Sequence, residues 1–443
     1  MRAPGAPRWG STAAALAVFS RRVRPYGPRR GEDARDRPGR PGDYDPCPVG
    51  QVDAPQYPRA VPTTPFTAEH EQLRAAIRRF VTTELAPHAD EWEAAEFFPD
   101  DVFRRMGELG FLGLTVPEEY GGQGGDYWST VVLAEEMTGA LNGGVPMGIA
   151  VQTDMATPPI LRFGTEEQKQ RYLVPAVRGE RIAALGITEP EAGSDVAAIR
   201  THAQRDGDGW VINGSKIFIT NGVRADFCTL VVRTAGTAAD GYEGISLFLV
   251  DSDTPGYSVS RKLDKVGMRS SDTAELRFED MRVPDDALLG TEGQGFKEIM
   301  WELQGERLIA SIQAVAASQR VFERAMAYGQ ERMAFGRPIA SFQVQRHRLV
   351  DIAARIAACR ALVYDCCDKW NRGVYAVLEI AMCKLATAQM DCWVNDEVLQ
   401  LFGGYGYSTE YPIERSWRDS RLIRIGGGTD EVQREIISKL MGL

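Results

Sequence analysis

Residues 210–220 read WVINGSKIFIT and mark a change of pattern in the middle of the chain. Two short apolar runs flank Asn213-Gly214, a dipeptide typical of a two-residue β-hairpin turn. Further runs with strand-like alternation follow at 227–232, 245–250, 257–259 and 274–278. Polar turn clusters such as residues 251–256 separate these runs. We therefore predict a β-domain over residues 184–290.

The segments on both sides of this domain have helical periodicity instead. Before it, apolar residues recur at Leu73, Ile77, Phe80 and Leu85, and Thr67 is placed to cap that helix. After it, long helices are predicted over 299–332, 342–370, 375–402 and 430–440, and three of them exceed the average helix length, which indicates a bundle. The prediction is an α+β multidomain chain, with a helical domain over 63–183 and a helical bundle over 291–443.

Residues 1–62 differ in composition from the rest of the chain. They hold 11 of the 24 prolines and 11 arginines, with no lysine and 6 acidic residues. Such a segment cannot bury a core, so we predict a disordered leader or an upstream start codon. A mitochondrial transit peptide and a secretory signal are the alternatives, because residues 1–30 carry seven arginines and no acid. The predicted location is cytoplasmic, or the mitochondrial matrix if residues 1–30 are a transit peptide.

Charge and composition exclude several classes of protein. The chain has 51 basic and 61 acidic residues, a net charge of −10, and the leader contributes +5 to it, so residues 63–443 carry −15. This charge disfavours a nucleic-acid partner. No apolar run is long enough for a membrane-spanning helix. The 7 cysteines and 4 histidines have no metal-ligand or disulfide spacing, so we expect no metal site.

Three polar or glycine-rich segments could approach a ligand closely: residues 188–195, 403–407 and 426–431. Each of them alone is more typical of a loop or a helix cap than of a site. Six longer motifs, which occur in the following order along the chain, together form a more specific signal of a protein family than any single segment. They are TEPEAGSD at 188–195, NGSKIFITNG at 213–222, KVGMRSSDTAELRFEDMRVP at 265–284, ERMAFGRPIASFQ at 331–343, LQLFGGYGY at 399–407 and IGGGTDEVQREII at 425–437.

With these motifs, residues 65–443 resemble the acyl-CoA dehydrogenase family. The resemblance implies an N-terminal helical domain, a middle β-barrel domain and a C-terminal four-helix bundle, assembled as a homotetramer. It also implies bound FAD and the oxidation of an acyl thioester, acyl-CoA or acyl-carrier protein, to the trans-2-enoyl thioester. The electrons would pass to an electron-transferring flavoprotein. The alternatives are a flavin monooxygenase or oxidase on the same fold, and a catalytically silent scaffold homologue.

The resemblance further implies which residues contact FAD. In the β-domain these are Leu185, Ile187, Thr188, Gly193, Ser194, Phe218 and Thr220. In the bundle they are Arg332, Phe335, Gln343, Gln400, Gly403, Gly404, Thr429 and Glu431. Phe218 would stack on the flavin ring, and Arg332 would reach the pyrophosphate of FAD in a neighbouring subunit, because a guanidinium pairs two phosphate oxygens.

The resemblance places the catalytic base at Glu306. Many family members carry a glutamate directly before the Gly-Thr of the last motif, and this chain has Gly427 there. A subset that includes the long-chain and isovaleryl types carries the base in a Glu-Arg pair on the first long bundle helix. Here that pair is Glu306-Arg307. The expected substrate contacts are Ser194, Gln304, Arg307 and Gly427.

Residues 1–62 are predicted to be dispensable, because their composition cannot support a core. A chain that begins near Val61 is expected to fold and to retain FAD as the full chain does. Flavin absorbance per protein after gel filtration measures this. Loss of flavin or of solubility in the shortened chain would contradict the prediction.

Overall fold

The computed structural model describes residues 65–443, which lie within a single compact unit. The predicted leader, residues 1–62, lies outside the described residues. Elements follow one another in the order helices, strands, helices. The predicted fold class is therefore confirmed in this order, and the individual domain boundaries stay predictions.

The first part of the chain is helical. Its α-helices are α1 (Ala68–Phe80), α2 (Ala89–Ala95), α3 (Asp101–Glu108), α4 (Tyr127–Met137), α5 (Gly144–Ala150), α6 (Pro158–Phe163), α7 (Glu166–Gln168) and α8 (Val174–Val177). π-helical turns extend or join them at Val81–Leu85, Val151–Ala156 and Lys169–Leu173. Thr67 caps α1 as predicted, because its side chain accepts a hydrogen bond from the backbone N–H of His70.

The strands form one sheet of eight. They are β1 (Ala183–Gly186), β2 (His202–Asp206), β3 (Gly209–Thr220), β4 (Phe227–Arg233), β5 (Ile245–Asp251), β6 (Tyr257–Lys262), β7 (Thr273–Pro284) and β8 (Leu288–Leu289). The pairing order is β6-β7-β3-β2-β4-β5-β8, and β1 pairs in parallel with β4. Within residues 65–443 no pairing joins β6 to β8, so the predicted barrel is not confirmed.

The predicted hairpin turn at Asn213-Gly214 is wrong, because both residues lie inside the single strand β3. The side chain of Asn213 pairs with Asp280 across the sheet: its Oδ1 accepts from the Asp280 N–H at 2.8 Å. A register shift of β3 against β7 falls at the same place, between Ile212 and Gly214. Gly214 is needed here because a β-carbon would lie 2.5 Å from Oγ1 of Thr201. The dipeptide therefore serves a bulge instead of a turn.

The last part of the chain is helical again. It comprises α9 (Gly295–Glu331), a ribbon of β9 (Met333–Ala334) and β10 (Arg337–Pro338), α10 (Gln343–Asn371), α11 (Val377–Phe402), α12 (Ile413–Ser420) and α13 (Asp430–Met441). The four predicted helices correspond to α9, α10, α11 and α13, whereas α12 was not predicted. Glycine-rich turns precede α12 and α13.

A buried ion pair fixes the segment that follows β1. Lys216 on β3 is fully buried, and its Nζ donates to Oε1 of Glu189 and to the carbonyl of Ile187, both at 2.8 Å. Glu189 also accepts from the backbone N–H groups of Arg200 and Thr201, at 2.6 and 2.9 Å. The bonds from Lys216 and Thr201 to Glu189 are buried and the other two are partly buried, so the ion pair holds residues 187–189 in one place.

We expect Lys216→Met to destabilise the protein and loosen residues 187–189, because it leaves the Glu189 carboxylate buried without its cation. Removal of one partner of a buried pair costs about 3–5 kcal/mol. The midpoint of thermal unfolding measures the effect. Lys297→Met is the matched control, because Lys297 is exposed and its Nζ donates to Oε1 of Gln294, a neutral partner. Equal midpoints for the two variants would contradict the role assigned to the ion pair.

Candidate active site

The loop before α13 has a backbone that only glycine adopts readily. Gly427 and Gly428 have φ angles of +65° and +92°, in the left-handed region. Thr429 then caps α13 by accepting a hydrogen bond from the N–H of Val432 at 3.3 Å. The loop thus turns sharply and presents its backbone to the first bundle helix.

Three side chains from three helices hold this loop. Nε of Arg307 on α9 donates to the carbonyl of Gly427 at 3.0 Å. Nζ of Lys384 on α11 donates to the carbonyl of Gly428 at 2.6 Å. Nε2 of Gln433 on α13 donates to both carbonyls, at 3.0 and 3.2 Å. All three residues are buried, so the loop has one well-defined position.

The structure brings Glu306 and Gly427 together. A β-carbon on Gly427 would lie 3.3 Å from Oε1 of Glu306 and 3.9 Å from its Cδ. The carboxylate of Glu306 therefore occupies the space that a side chain at position 427 would enter. This is the relation that the sequence predicts for a base carried on the first bundle helix.

The surroundings of Glu306 change its proton affinity. Burial raises the pKa of the Glu306 carboxyl, and the positive charges of Arg307 and Lys384 partly oppose that rise. Burial also lowers the pKa of Lys384 to about 8, although the negative charge of Asp430 opposes this decrease. A carboxylate with a raised pKa is a stronger base than an ordinary one, and this suits a group that must accept a weakly acidic proton.

Three further polar groups near Glu306 were not predicted from the sequence. Glu302 lies one turn before Glu306 on α9 and is 2% exposed. Burial raises the pKa of the Glu302 carboxyl well above its usual range, and the charge of Glu306 raises it further. Asp154, whose pKa burial raises to about 6, and Tyr127 belong to the same group. A glutamate four residues before Glu306, on the same helix face, was the signal that the sequence offered.

Gln304 is placed differently from the other expected substrate contacts. It is buried, and its Nε2 donates to the carbonyl of Met300 at 2.9 Å on its own helix. At about 100° per residue it points about 160° away from Glu306 around α9. Its contact with substrate stays a prediction, as does that of Arg307, whose observed partner is the loop.

The expected flavin contacts of the β-domain lie on β1, the following loop and β3. Leu185 pairs with Thr229 on β4, and Ile187 and Thr188 are held through their carbonyls by Lys216 Nζ and the Ile217 N–H. Gly193 and Ser194 are exposed in the loop, and Thr220 ends β3. Gly193 is open enough that a β-carbon there would meet only Thr188, at 3.8 Å.

Phe218 has an unusual conformation for an aromatic residue in a strand. Its φ is +62°, it lies at a register shift between Lys216 and Ile219, and its side chain is 65% exposed. A bulge turns a side chain away from its normal direction in the pleat. The ring therefore stands out from the sheet instead of entering the core.

The expected flavin contacts of the bundle lie on its surface. Arg332, at the end of α9, has its guanidinium 5.4 Å from the ring centre of Tyr405, which brings it beside Gly403 and Gly404. Phe335 is 96% exposed with a φ of +52°. The others are also exposed or cap a helix: Gln343, Gln400, Gly403, Gly404, Thr429 and Glu431. In residues 65–443, no hydrogen bond, ion pair or ring contact joins Arg332, Phe335 or Gln343 to the β-domain set.

The described part of the chain has neither a candidate membrane span nor a candidate metal cluster. None of its helices combines the length and the apolar character that crossing a bilayer requires. It also contains no cluster of three or more histidine, cysteine, aspartate or glutamate side chains that could hold a metal ion.

Three family models match the chain in sequence order. The N-terminal, middle and C-terminal domains of acyl-CoA dehydrogenase match residues 67–180, 184–281 and 293–442. The mitochondrial long-chain specific acyl-CoA dehydrogenase of Sus scrofa is 38% identical over 84% of this chain and 86% of its own length. The short-chain specific acyl-CoA dehydrogenase of Clostridium acetobutylicum is 40% identical over 84% of this chain and 98% of its own.

Solved structures share the fold over nearly their whole length. A probable acyl-CoA dehydrogenase from Mycobacterium abscessus has a TM-score of 0.82 and 42% identity, covering 85% of this chain and 99% of that one. A chain from a structure of the electron transferring flavoprotein of Acidaminococcus fermentans has a TM-score of 0.82 and 37% identity, covering 86% and 99%. The FAD complex of PigA has a TM-score of 0.83 and 28% identity, also covering 86% and 99%. The resemblance seen in the motifs is confirmed, and the chain belongs to the acyl-CoA dehydrogenase family.

Proposed function

We propose that this protein oxidises an acyl thioester to the trans-2-enoyl thioester, with Glu306 as the base that removes the α-proton. The observation that carries the proposal is the carboxylate of Glu306 beside Gly427, 3.3 Å from where a β-carbon would lie. The base thus occupies the position that a glutamate of the loop would otherwise fill. No other acid lies as close to Gly427 in the described residues.

FAD is the cofactor of this family, and the described residues fit it. Phe218 offers an exposed ring, which suits a flat partner. A β-carbon on Gly403 or Gly404 would meet nothing within 4 Å, so a diphosphate can approach this backbone closely. When bound, FAD supplies the acceptor for the hydride that leaves the β-carbon.

Glu306 prepares the substrate for that transfer. The α-proton of a thioester is much less acidic than a carboxylic acid, so the base must be shielded from water and the carbonyl must be polarised. Glu306 is half-buried, so it is partly shielded from water, and this burial raises the pKa of its carboxyl. The charges of Arg307 and Lys384 oppose the rise and favour the ionised form of the carboxyl.

The backbone N–H of Gly427 is suited to polarise the thioester carbonyl. It donates no hydrogen bond within residues 65–443, whereas the N–H of Glu306 lies in the interior of a continuous helix. A free N–H beside the base can stabilise the negative charge that develops on the carbonyl oxygen. The rigid loop keeps this donor in place without a change of conformation.

The substrate, the electron acceptor and the assembly are also part of the proposal. The relatives named above include long-chain and short-chain specific enzymes, so their names do not favour one chain length. Coenzyme A as carrier and an electron-transferring flavoprotein as acceptor are proposed from the family. A homotetramer is proposed because Arg332 and Phe335 are exposed in one chain, where a neighbouring subunit could use them. A cytoplasmic location stays a prediction.

Glu306→Gln is expected to bind FAD and acyl thioester but to lose flavin reduction. The amide keeps the volume of the carboxylate and cannot accept the α-proton, and loss of a general base costs about 10²–10⁴-fold in rate. Anaerobic mixing with acyl-CoA, followed at the flavin absorbance, measures the rate. Glu323→Gln is the control, because Glu323 is exposed on the same helix. Reduction of Glu306→Gln at the parent rate would place the base elsewhere.

Arg332→Ala is expected to weaken FAD retention and subunit association together, because one guanidinium would serve both. Loss of a charge-assisted pair costs about 1.5–3 kcal/mol, or roughly 10–100-fold in affinity. Flavin occupancy after dilution and dialysis, and mass by sedimentation, measure the two effects. Arg337→Ala on the adjoining ribbon is the matched control. Unchanged flavin occupancy in Arg332→Ala would exclude the contact between subunits.

A further inference from the structure

Glu302 is a buried acid that the proposed reaction does not use. Both of its carboxyl oxygens are buried and lack a hydrogen-bond partner within residues 65–443, and the side chain is 2% exposed. Buried polar groups in folded proteins nearly always have partners, so an unpaired one points to a group that binds there. The position of Glu302 relative to Glu306 indicates which molecule carries the binding group.

Glu302 and Glu306 lie on the same face of α9. Four residues separate them, which is about 6 Å along the axis and about 40° around it. Gly305 lies about 60° around the axis from Glu302, and a β-carbon there would lie 3.8 Å from both the Asp154 carbonyl and Cζ2 of Trp370. The charges of Glu306 and Asp154 both act on Glu302, so a chain bound with its α-carbon at Glu306 can run along α9 toward Glu302.

Tyr127 carries a second buried polar group near Asp154. The hydroxyl of Tyr127 is buried and has no hydrogen-bond partner in the described residues. The ring of Tyr127 packs at 6.3 Å from that of Trp370, and its pKa is raised by burial and by the charge of Asp154. Asp154 accepts at Oδ2 from Thr153 at 2.6 Å. Asp154 is thus near two side chains whose buried polar atoms are unpaired, Glu302 and Tyr127.

We propose, on the basis of the function above, that the acyl group of the substrate carries a hydrogen-bond donor, a hydroxyl or an amine, that binds the Glu302 carboxyl. An apolar chain would leave both Glu302 oxygens unpaired, and a site built around polar groups discriminates against a ligand that cannot pair them. The charges of Glu306 and Asp154 add negative potential at Glu302, and a bound hydrogen-bond donor offsets it.

The test compares chains that differ only in one terminal group. The parent is mixed with ω-hydroxyacyl-CoAs and ω-aminoacyl-CoAs from butanoyl to octanoyl, each matched with the acyl-CoA in which a methyl group replaces the donor. We expect kcat/KM for flavin reduction to favour the donor by roughly 10–100-fold at one or two lengths. The hydroxyl and amine arms distinguish the two donors. Preference for the methyl group at every length would overturn the proposal.

Glu302→Leu and Glu302→Gln identify the residue responsible. Leucine is expected to abolish the preference and to improve reduction by the methyl-bearing chains, while the amide of glutamine retains it. Binding is measured separately in the Glu306→Gln background, from the change of flavin absorbance on titration, so that the result does not depend on turnover. Glu323→Gln is the control. The same preference in Glu302→Leu as in the parent would overturn the role of Glu302.

The outcome also separates this inference from the proposed function. If methyl-bearing acyl-CoAs reduce the flavin in a reaction that requires Glu306, the proposed function holds and only the inference about Glu302 fails. If no acyl-CoA reduces the flavin, or Glu306→Gln is as fast as the parent, the proposed function itself fails.

Discussion

The placement of the Glu306 carboxylate beside Gly427 is the constraint on which the proposed chemistry depends. The carboxylate comes from a long helix, and the glycine from a loop far along the chain, so neither position is useful without the other. Arg307, Lys384 and Gln433 hold the loop by its carbonyls at 2.6–3.2 Å. A side chain on Gly427 would meet the carboxylate directly. The same positive φ angle that disfavours a side chain there lets the loop turn away from the helix.

Charge and burial act on Glu306 in opposite directions. Burial raises the pKa of the carboxyl, which makes it a better acceptor of a weakly acidic proton, and the charges of Arg307 and Lys384 partly oppose that rise. Arg307 and Lys384 also donate hydrogen bonds to the loop, so the groups that position its backbone also lower the pKa of Glu306. The β-domain uses a similar arrangement, in which the buried pair of Lys216 and Glu189 fixes the segment expected to face the flavin.

Periodicity predicted the order of the domains and the main bundle helices, because it is a local signal, and the resemblance to the family implied that Glu306 lies beside Gly427. It failed at Asn213-Gly214, where the partner is Asp280 on a strand that lies far along the chain. The barrel was implied by the family, and the strand pairing does not confirm it. Glu302, Asp154 and Tyr127 come from three separate elements, and only packing brings them near Glu306. Spacing along α9 could indicate Glu302, four residues before Glu306, but not Asp154 or Tyr127.

The most direct test of the account exchanges the two positions, Glu306→Gly together with Gly427→Glu. The account predicts that the double variant recovers part of the flavin reduction by acyl-CoA that Glu306→Gly alone has lost, because both side chains would reach the same α-carbon. Recovery is expected to be incomplete, since a glutamate at a left-handed φ costs about 1–2 kcal/mol. A double variant no faster than Glu306→Gly, with FAD bound and the fold intact, would contradict the shared position of base and loop.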